Sequence, residues 1–135
     1  MLFRSQEYFV KLGSNFHKWA GVDELITLNY TSQSLRELMY RQENSILKSW
    51  LQEPYGIDGW RFDVGHSTAR EGHDQLYKLI WQEIRQELKA LDPQKYLMAE
   101  LWEDPEEFLQ GDQWDACMNY HGFLRPIRAF LGEHD

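Results

Sequence analysis
Apolar residues recur along this chain with two different periods, and the switches between them mark its elements. Around the glycines at 56, 59 and 65 the period is two. Trp60, Phe62 and Val64 fall on one face and Arg61 and Asp63 on the other, which predicts a short strand with a cation and an anion pointing the same way. A surface ion pair on a solvated strand face is the plain reading of that stretch alone. Residues 96–102 form a second strand-like run that delivers Glu100 near its C-terminal end. Between the two runs the period becomes helical. Leu76, Leu79, Ile80, Ile84, Leu88 and Leu91 make a stripe, Asp74 is placed to cap it, and Asp92 with Pro93 stops it. Lys78, Glu83, Arg85, Gln86, Glu87 and Lys89 read as its solvated face.

A strand–helix–strand order makes the two strands parallel, and in parallel α/β sheets ligands bind beyond the carboxyl ends of the strands. Asp63 and Glu100 are therefore expected as neighbours at one rim. The remaining pattern fits around this unit. Residues 1–30 lack a clean period and read as loop, with aromatics (Tyr8, Phe9, Phe16, Trp19) suited to covering a core or stacking on a sugar. Ser34 and Glu37 have the spacing of a capping box. Leu35, Leu38, Met39, Ile46, Trp50 and Leu51 predict one packing helix that ends near Glu53, before Pro54. The polar tract from Gly65 to His73 suits a loop at a site, and His66 lies three residues past Asp63. A helical turn at Pro105, a third strand over 115–120 and a helix over 123–131 complete the chain.

Composition limits what this unit can be. The 135 residues are 42% hydrophobic and 15% aromatic, enough for one core and no more than one domain. A closed eight-stranded α/β barrel needs at least about 200 residues, so only part of one fits. A net charge of -8 leaves no basic patch for a nucleic acid. Cys117 is the single cysteine, which excludes an internal disulfide and a thiolate metal site. The acidic run from Glu103 to Glu107 lacks metal-ligand spacing, so no metal and no cofactor is expected. No run of about 18 apolar residues spans a membrane. The N-terminal residues do not form a signal peptide, which favours a cytoplasmic setting. A glycine-rich phosphate loop at a helix start is absent, which removes a phosphate-binding reading.

Two carboxylates at adjacent strand ends can cleave a glycosidic bond, one as nucleophile and one as proton donor, if held about 5–5.5 Å apart. Arg61 is placed to keep Asp63 ionised. Glu100, with Met98 and Trp102 on its own face, has the more apolar surroundings, which favour the protonated, acid role. These residues carry a resemblance. The tract from Gly59 to Val64 resembles the fourth-strand motif of the α-amylase family of glycoside hydrolases, and that from Ala99 to Trp102 its fifth-strand motif. The tract from Gly111 to Tyr120 is similar to the sixth-strand segment of the neopullulanase, cyclomaltodextrinase and maltogenic amylase branch. Gly21 to Leu25 and Leu28 to Tyr30 resemble the end of that branch's small inserted domain.

The resemblance implies an α/β fold that is a partial (β/α)8 TIM barrel, about strands 4 to 6 with flanking helices. Residues 1–30 would end the inserted loop-rich domain, and 31–135 would form the middle of the barrel. It implies Asp63 as nucleophile, Glu100 as general acid/base and Arg61 as the nucleophile's companion. His66, Trp102, Asn119 and Tyr120 would line the site of an α-glucan oligosaccharide. Calcium enters only as a ligand of the larger parent. The activity implied is a retaining α-glucan hydrolase or transglycosylase, and the alternative is an inactive truncated chain with a binding or assembly role. The third-strand motif and the seventh-strand His and Asp have no counterpart; His134 and Asp135 come too soon after Glu100 to be that pair. Gly65, His66 and Ser67 stand where the branch usually has small, Asn and Glu residues. Three parallel strands alone leave two unpaired edges, which predicts self-association through them.

Overall fold
The computed structural model describes residues 5–70 and 75–132. Asp74, the expected helix cap, and His73, His134 and Asp135 lie outside the described residues. The N-terminal segment is irregular, as expected, with a two-residue antiparallel ribbon, β1 (Lys11–Leu12) and β2 (Asn15–Phe16). It is tied down by bridges between Phe9 and Leu28 and between Lys18 and Ile26. Tyr30, at its end, is buried.

The expected single helix is two pieces. Ser32, not Ser34, caps α1 (Gln33–Arg36), its hydroxyl accepting from Leu35 N–H at 3.3 Å. A π-helical turn (Glu37–Arg41) follows, then extended backbone at Gln42 and Ser45, then α2 (Ile46–Leu51). That break resets the helical phase. Leu35, Tyr40, Leu47 and Leu51 are buried, whereas Leu38, Ile46 and Trp50 face solvent, against the predicted stripe.

The core of the fold is a three-stranded parallel sheet in the order β3 (Gly59–Phe62), β4 (Tyr96–Ala99), β5 (Ala116–Cys117). All three strands are shorter than their sequence patterns suggested. Gly59 is needed where β3 meets β4, because a Cβ there would lie 2.0 Å from the Tyr96 carbonyl oxygen. The crossover helix α3 (Tyr77–Leu91) covers the sheet with Ile80, Trp81, Ile84 and Leu88. Leu79 and Leu91, assigned to its buried stripe, are exposed.

Four residues assigned to the solvated face of α3 are instead engaged in bridges. Glu83 accepts from the Tyr40 hydroxyl at 2.5 Å and from Arg41 at 2.8 Å, while Lys48 holds Glu87 at 2.6 Å. Arg85 and Lys89 each reach Asp115 at 2.8 Å, and the same carboxylate accepts from Leu97 N–H at 2.9 Å. These bridges fasten α3 to the preceding helices on one side and to the start of β5 on the other. An aromatic ladder runs beneath the sheet's C-terminal rim. Phe62 packs on Trp81 (4.7 Å between centroids), Trp81 on Trp114 (5.0 Å), and Trp114 stacks on Phe108 (4.8 Å). The chain closes with a π-helical turn (Tyr120–Leu124) and α4 (Arg125–Phe130), whose Phe123 and Phe130 are exposed.

Candidate active site
Register places the two carboxylates. Phe62 pairs with Ala99 in the parallel ladder, so Asp63 and Glu100 are the next residues out on both strands. Glu100 N–H donates to the Phe62 carbonyl at 2.9 Å, and Gly65 N–H returns to the Glu100 carbonyl at 3.0 Å. Both side chains therefore emerge at one rim. Arg61 spans them, one terminal nitrogen paired with Asp63 and the other 3.0 Å from Glu100 Oε2. Asp63 is largely exposed, with 77% of its side chain accessible, whereas Glu100 keeps only 13%.

Val64 departs from the expected strand. Instead of joining Trp60 and Phe62 on the buried face, it takes a left-handed conformation (φ 42°, ψ 45°), unusual for a β-branched residue. The strand ends there, and the Val64 N–H points back to Glu100 Oε2 at 3.1 Å. The next residue, Gly65, is buried beneath the indole of Trp114, where a Cβ would lie 2.8 Å from Cζ2. Its carbonyl accepts from the Trp81 indole at 3.0 Å. The tract predicted to be a polar loop is thus partly interior: Gly65, His66 and Ala69 are buried.

Glu100 also differs from expectation. Its surroundings are rich in donors: Trp102 Nε1 and the Tyr120 hydroxyl each reach Oε1 at 3.3 Å. The Val64 N–H above all, then Trp102, Arg61 and Asp63, hold its carboxyl below the usual range against the opposing pull of burial. The unliganded site therefore keeps Glu100 ionised, not protonated. Arg61 in turn is held protonated chiefly by its bond to Asp63.

Of the other expected site residues, Tyr120 and Trp102 reach Glu100 and the rest are placed differently. Trp102, partly exposed, packs edge-on against His66 (5.1 Å) and Trp19 (6.5 Å). His66 is buried behind it, and its Nδ1 has no partner among protein atoms. Asn119 spends its amide oxygen on Gly122 N–H at 2.8 Å, capping its own turn. Beside Asp63 opens a cavity of about 330 Å³, walled by Trp19, Glu24, Leu28, Tyr30, Val64 and Thr68. The sequence offers Trp19 only as one aromatic among several, and Glu24 and Tyr30 only within tracts that resemble the inserted domain, not as site residues. No local signal links 19–30 to Asp63, since their proximity comes from the tertiary fold. Arg70 fastens the loops after β3 and β4, stacking on Tyr77 at 4.2 Å and pairing with Glu103 at 3.5 Å. Among the described residues, no three His, Cys, Asp or Glu side chains converge as a cation site, and no helix is long and apolar enough to cross a membrane.

A parallel strand–helix–strand unit with a carboxylate pair at its C-terminal rim defines the class, an α/β fragment with an open parallel sheet, and its structural neighbours make it part of a (β/α)8 barrel. Comparison with known proteins narrows this to a family. The profile described as alpha amylase, catalytic domain, matches residues 4–131, and the chain belongs to that family. It is 33% identical to a cyclomaltodextrinase of Geobacillus thermopakistaniensis over 119 residues, covering 88% of this chain and 18% of that protein. To a maltogenic alpha-amylase of Bacillus acidopullulyticus it is 35% identical over 114 residues, covering 79% and 18%. The ligand-free cyclic alpha-maltosyl-(1→6)-maltose hydrolase of Arthrobacter globiformis superposes with a TM-score of 0.67 at 27% identity, over 87% of this chain and 25% of that one. The chain thus spans about a fifth of the length of the curated relatives it matches.

Proposed function
We propose that this chain carries the nucleophile and the general acid/base of a retaining α-glucan hydrolase or transglycosylase. The observation that supports it is the bridging of Asp63 and Glu100 by one guanidinium at a common rim. Asp63, exposed beside the cavity, attacks the anomeric carbon while Glu100 gives a proton to the departing glycosidic oxygen. Glu100 then takes a proton from water or a sugar hydroxyl, which attacks the same carbon and releases Asp63. Glu100 must carry a proton for the first step. Saccharide filling the site excludes water, and burial of the carboxyl beneath it raises its proton affinity. Trp19 and Trp102 offer aromatic faces to the sugar. Residues 31–135 are read as the middle of the barrel and 1–30 as the end of an inserted domain.

A second reading concerns the chain taken alone. The outer edges of β3 and β5 are unpaired among the described residues, and the family's third carboxylate has no counterpart in the sequence. The isolated chain is therefore proposed to bind α-glucan without turning it over, and to self-associate through those edges; sedimentation as a pure monomer would remove the latter. Titration of maltotriose into the isotopically labelled chain tests the glycosidase reading. Amide perturbations are expected around Trp19, at 61–66 and at 100–102, and their absence at high sugar concentration counts against it. Sugar release that Asp63→Asn abolishes would refute the claim of inactivity.

A further inference from the structure
We infer that Val64 is a positioning residue for Glu100. Its main-chain N–H, turned back by the left-handed conformation, fixes Oε2 of Glu100 beside Arg61. The assignment as a device for catalysis rests on the glycosidase reading above; the contact itself does not.

Three observations carry it. A β-branched residue at φ 42° is costly and persists only where its surroundings impose it, and such residues cluster at functional sites. The surroundings here are explicit. One residue on, Gly65 is locked by its N–H to the Glu100 carbonyl, its carbonyl to Trp81, and the indole of Trp114 over its Cα. One residue back, Asp63 is paired with Arg61. Between two fixed neighbours, the left-handed turn is what aims the Val64 N–H at a side-chain oxygen instead of continuing the ladder. Two consecutive amides, Val64 and Gly65, thereby grip the side chain and main chain of the same glutamate. Because Asp63 adjoins Val64, the placement of one carboxylate is coupled through a single peptide unit to that of the other. The charged and polar groups around Glu100 are Arg61, Asp63, Trp102 and Tyr120, with His66 behind Trp102. Of these donors, only the Val64 amide has no rotatable side chain, so it alone cannot swing away.

The test removes that donor and keeps the side chain. An ester at position 64, made with the α-hydroxy analogue of valine, replaces the N–H by oxygen and keeps the isopropyl group. Side-chain carbon NMR of labelled glutamates in the 135-residue chain, with Glu100→Gln for assignment, follows the titration of Glu100. The ester is expected to raise its midpoint by about one pH unit. Val64→Gly keeps the N–H and takes the left-handed conformation freely, so it is expected to leave the midpoint in place. An unmoved midpoint in the ester, or an equal rise in Val64→Gly, overturns the proposal. Should the ester not fold, the unmodified chain decides. The Val64 amide resonance must titrate with the Glu100 midpoint, and an amide that ignores it overturns the proposal. Neither readout needs turnover, so failure of the glycosidase reading would appear separately, as an absent maltotriose response.

Discussion

Glu100 lies 3.0 Å from the Arg61 guanidinium, whose other terminal nitrogen is taken by Asp63. Two acids that would otherwise repel are held at one rim by a shared cation. Replacing Arg61 by Met leaves Glu100 without its charged neighbour while its neutral donors remain. Its titration midpoint is expected to move up toward the ordinary glutamate range in side-chain NMR. A midpoint that stays or falls would contradict the electrostatic role of Arg61.

Acid should unfold the protein through its bonded carboxylates. The Val64 N–H lowers Glu100 and the Gln82 amide lowers Asp112. In Glu83 and Asp115, burial pulls upward and is outweighed by Tyr40 with Arg41 and by Lys89 with Arg85. All four bind protons less readily folded than unfolded. Their stabilisation is therefore complete above the ordinary carboxylate range, near pH 4 to 5, and is lost as pH falls through the lower folded values. Urea midpoints measured from pH 7 to pH 3 should hold steady and then drop; a flat profile would count against these bonds.

Gly65→Ala places a methyl 2.8 Å from the Trp114 ring and 3.2 Å from the Ala99 Cβ. Both belong to a packed core, so the variant is expected to lose about 1–3 kcal/mol in chemical denaturation. Gly59→Ala meets the Tyr96 backbone at 2.0 Å, which cannot swing aside, and should lose more. The reverse order would mean that the β3–β4 contact yields more readily than the ring.

Asp115→Asn removes a carboxylate held by Arg85, Lys89 and the Leu97 N–H with only 17% of its side chain accessible. A loss of about 1–3 kcal/mol is expected. Lys89→Met should cost less in the Asp115→Asn background than alone, because the shared bond is already lost and only the bonds of Lys89 to the Pro93 and Lys95 carbonyls remain to break. Full additivity in thermal or urea unfolding would show that the two residues act independently.

How far the sequence disclosed this arrangement depends on the range of each interaction. Alternation at Trp60, Arg61 and Phe62, the helical stripe from Leu76 to Leu88 and the strand-like run at 96–102 are local signatures, and β3, the crossover helix α3, β4 and their parallel order follow from them. So does the common rim of Asp63 and Glu100. The break at 42–45 escaped because Ile46 and Trp50 continue the helical spacing on paper; only the packing of Tyr40 and Leu47 on α3 shows the change of phase. Val64 escaped for a related reason, since β-branched residues signal strand and tertiary bonds on either side override that preference. Glu100 was expected in apolar surroundings because Met98 and Trp102 share its face. Its strongest partner is the backbone of a residue 36 positions earlier, which no local pattern encodes. Arg85 and Lys89 likewise read as solvated until Asp115 is brought to them by the fold.

The run of rings from Phe62 through Trp81 and Trp114 to Phe108 is tied to the turn that follows Asp63, since the Trp81 indole donates to the Gly65 carbonyl. Two indoles 5.0 Å apart and crossed at 65° couple their transitions. The protein thus carries an unlabelled optical reporter, a far-ultraviolet dichroic couplet whose amplitude will register any movement of that turn.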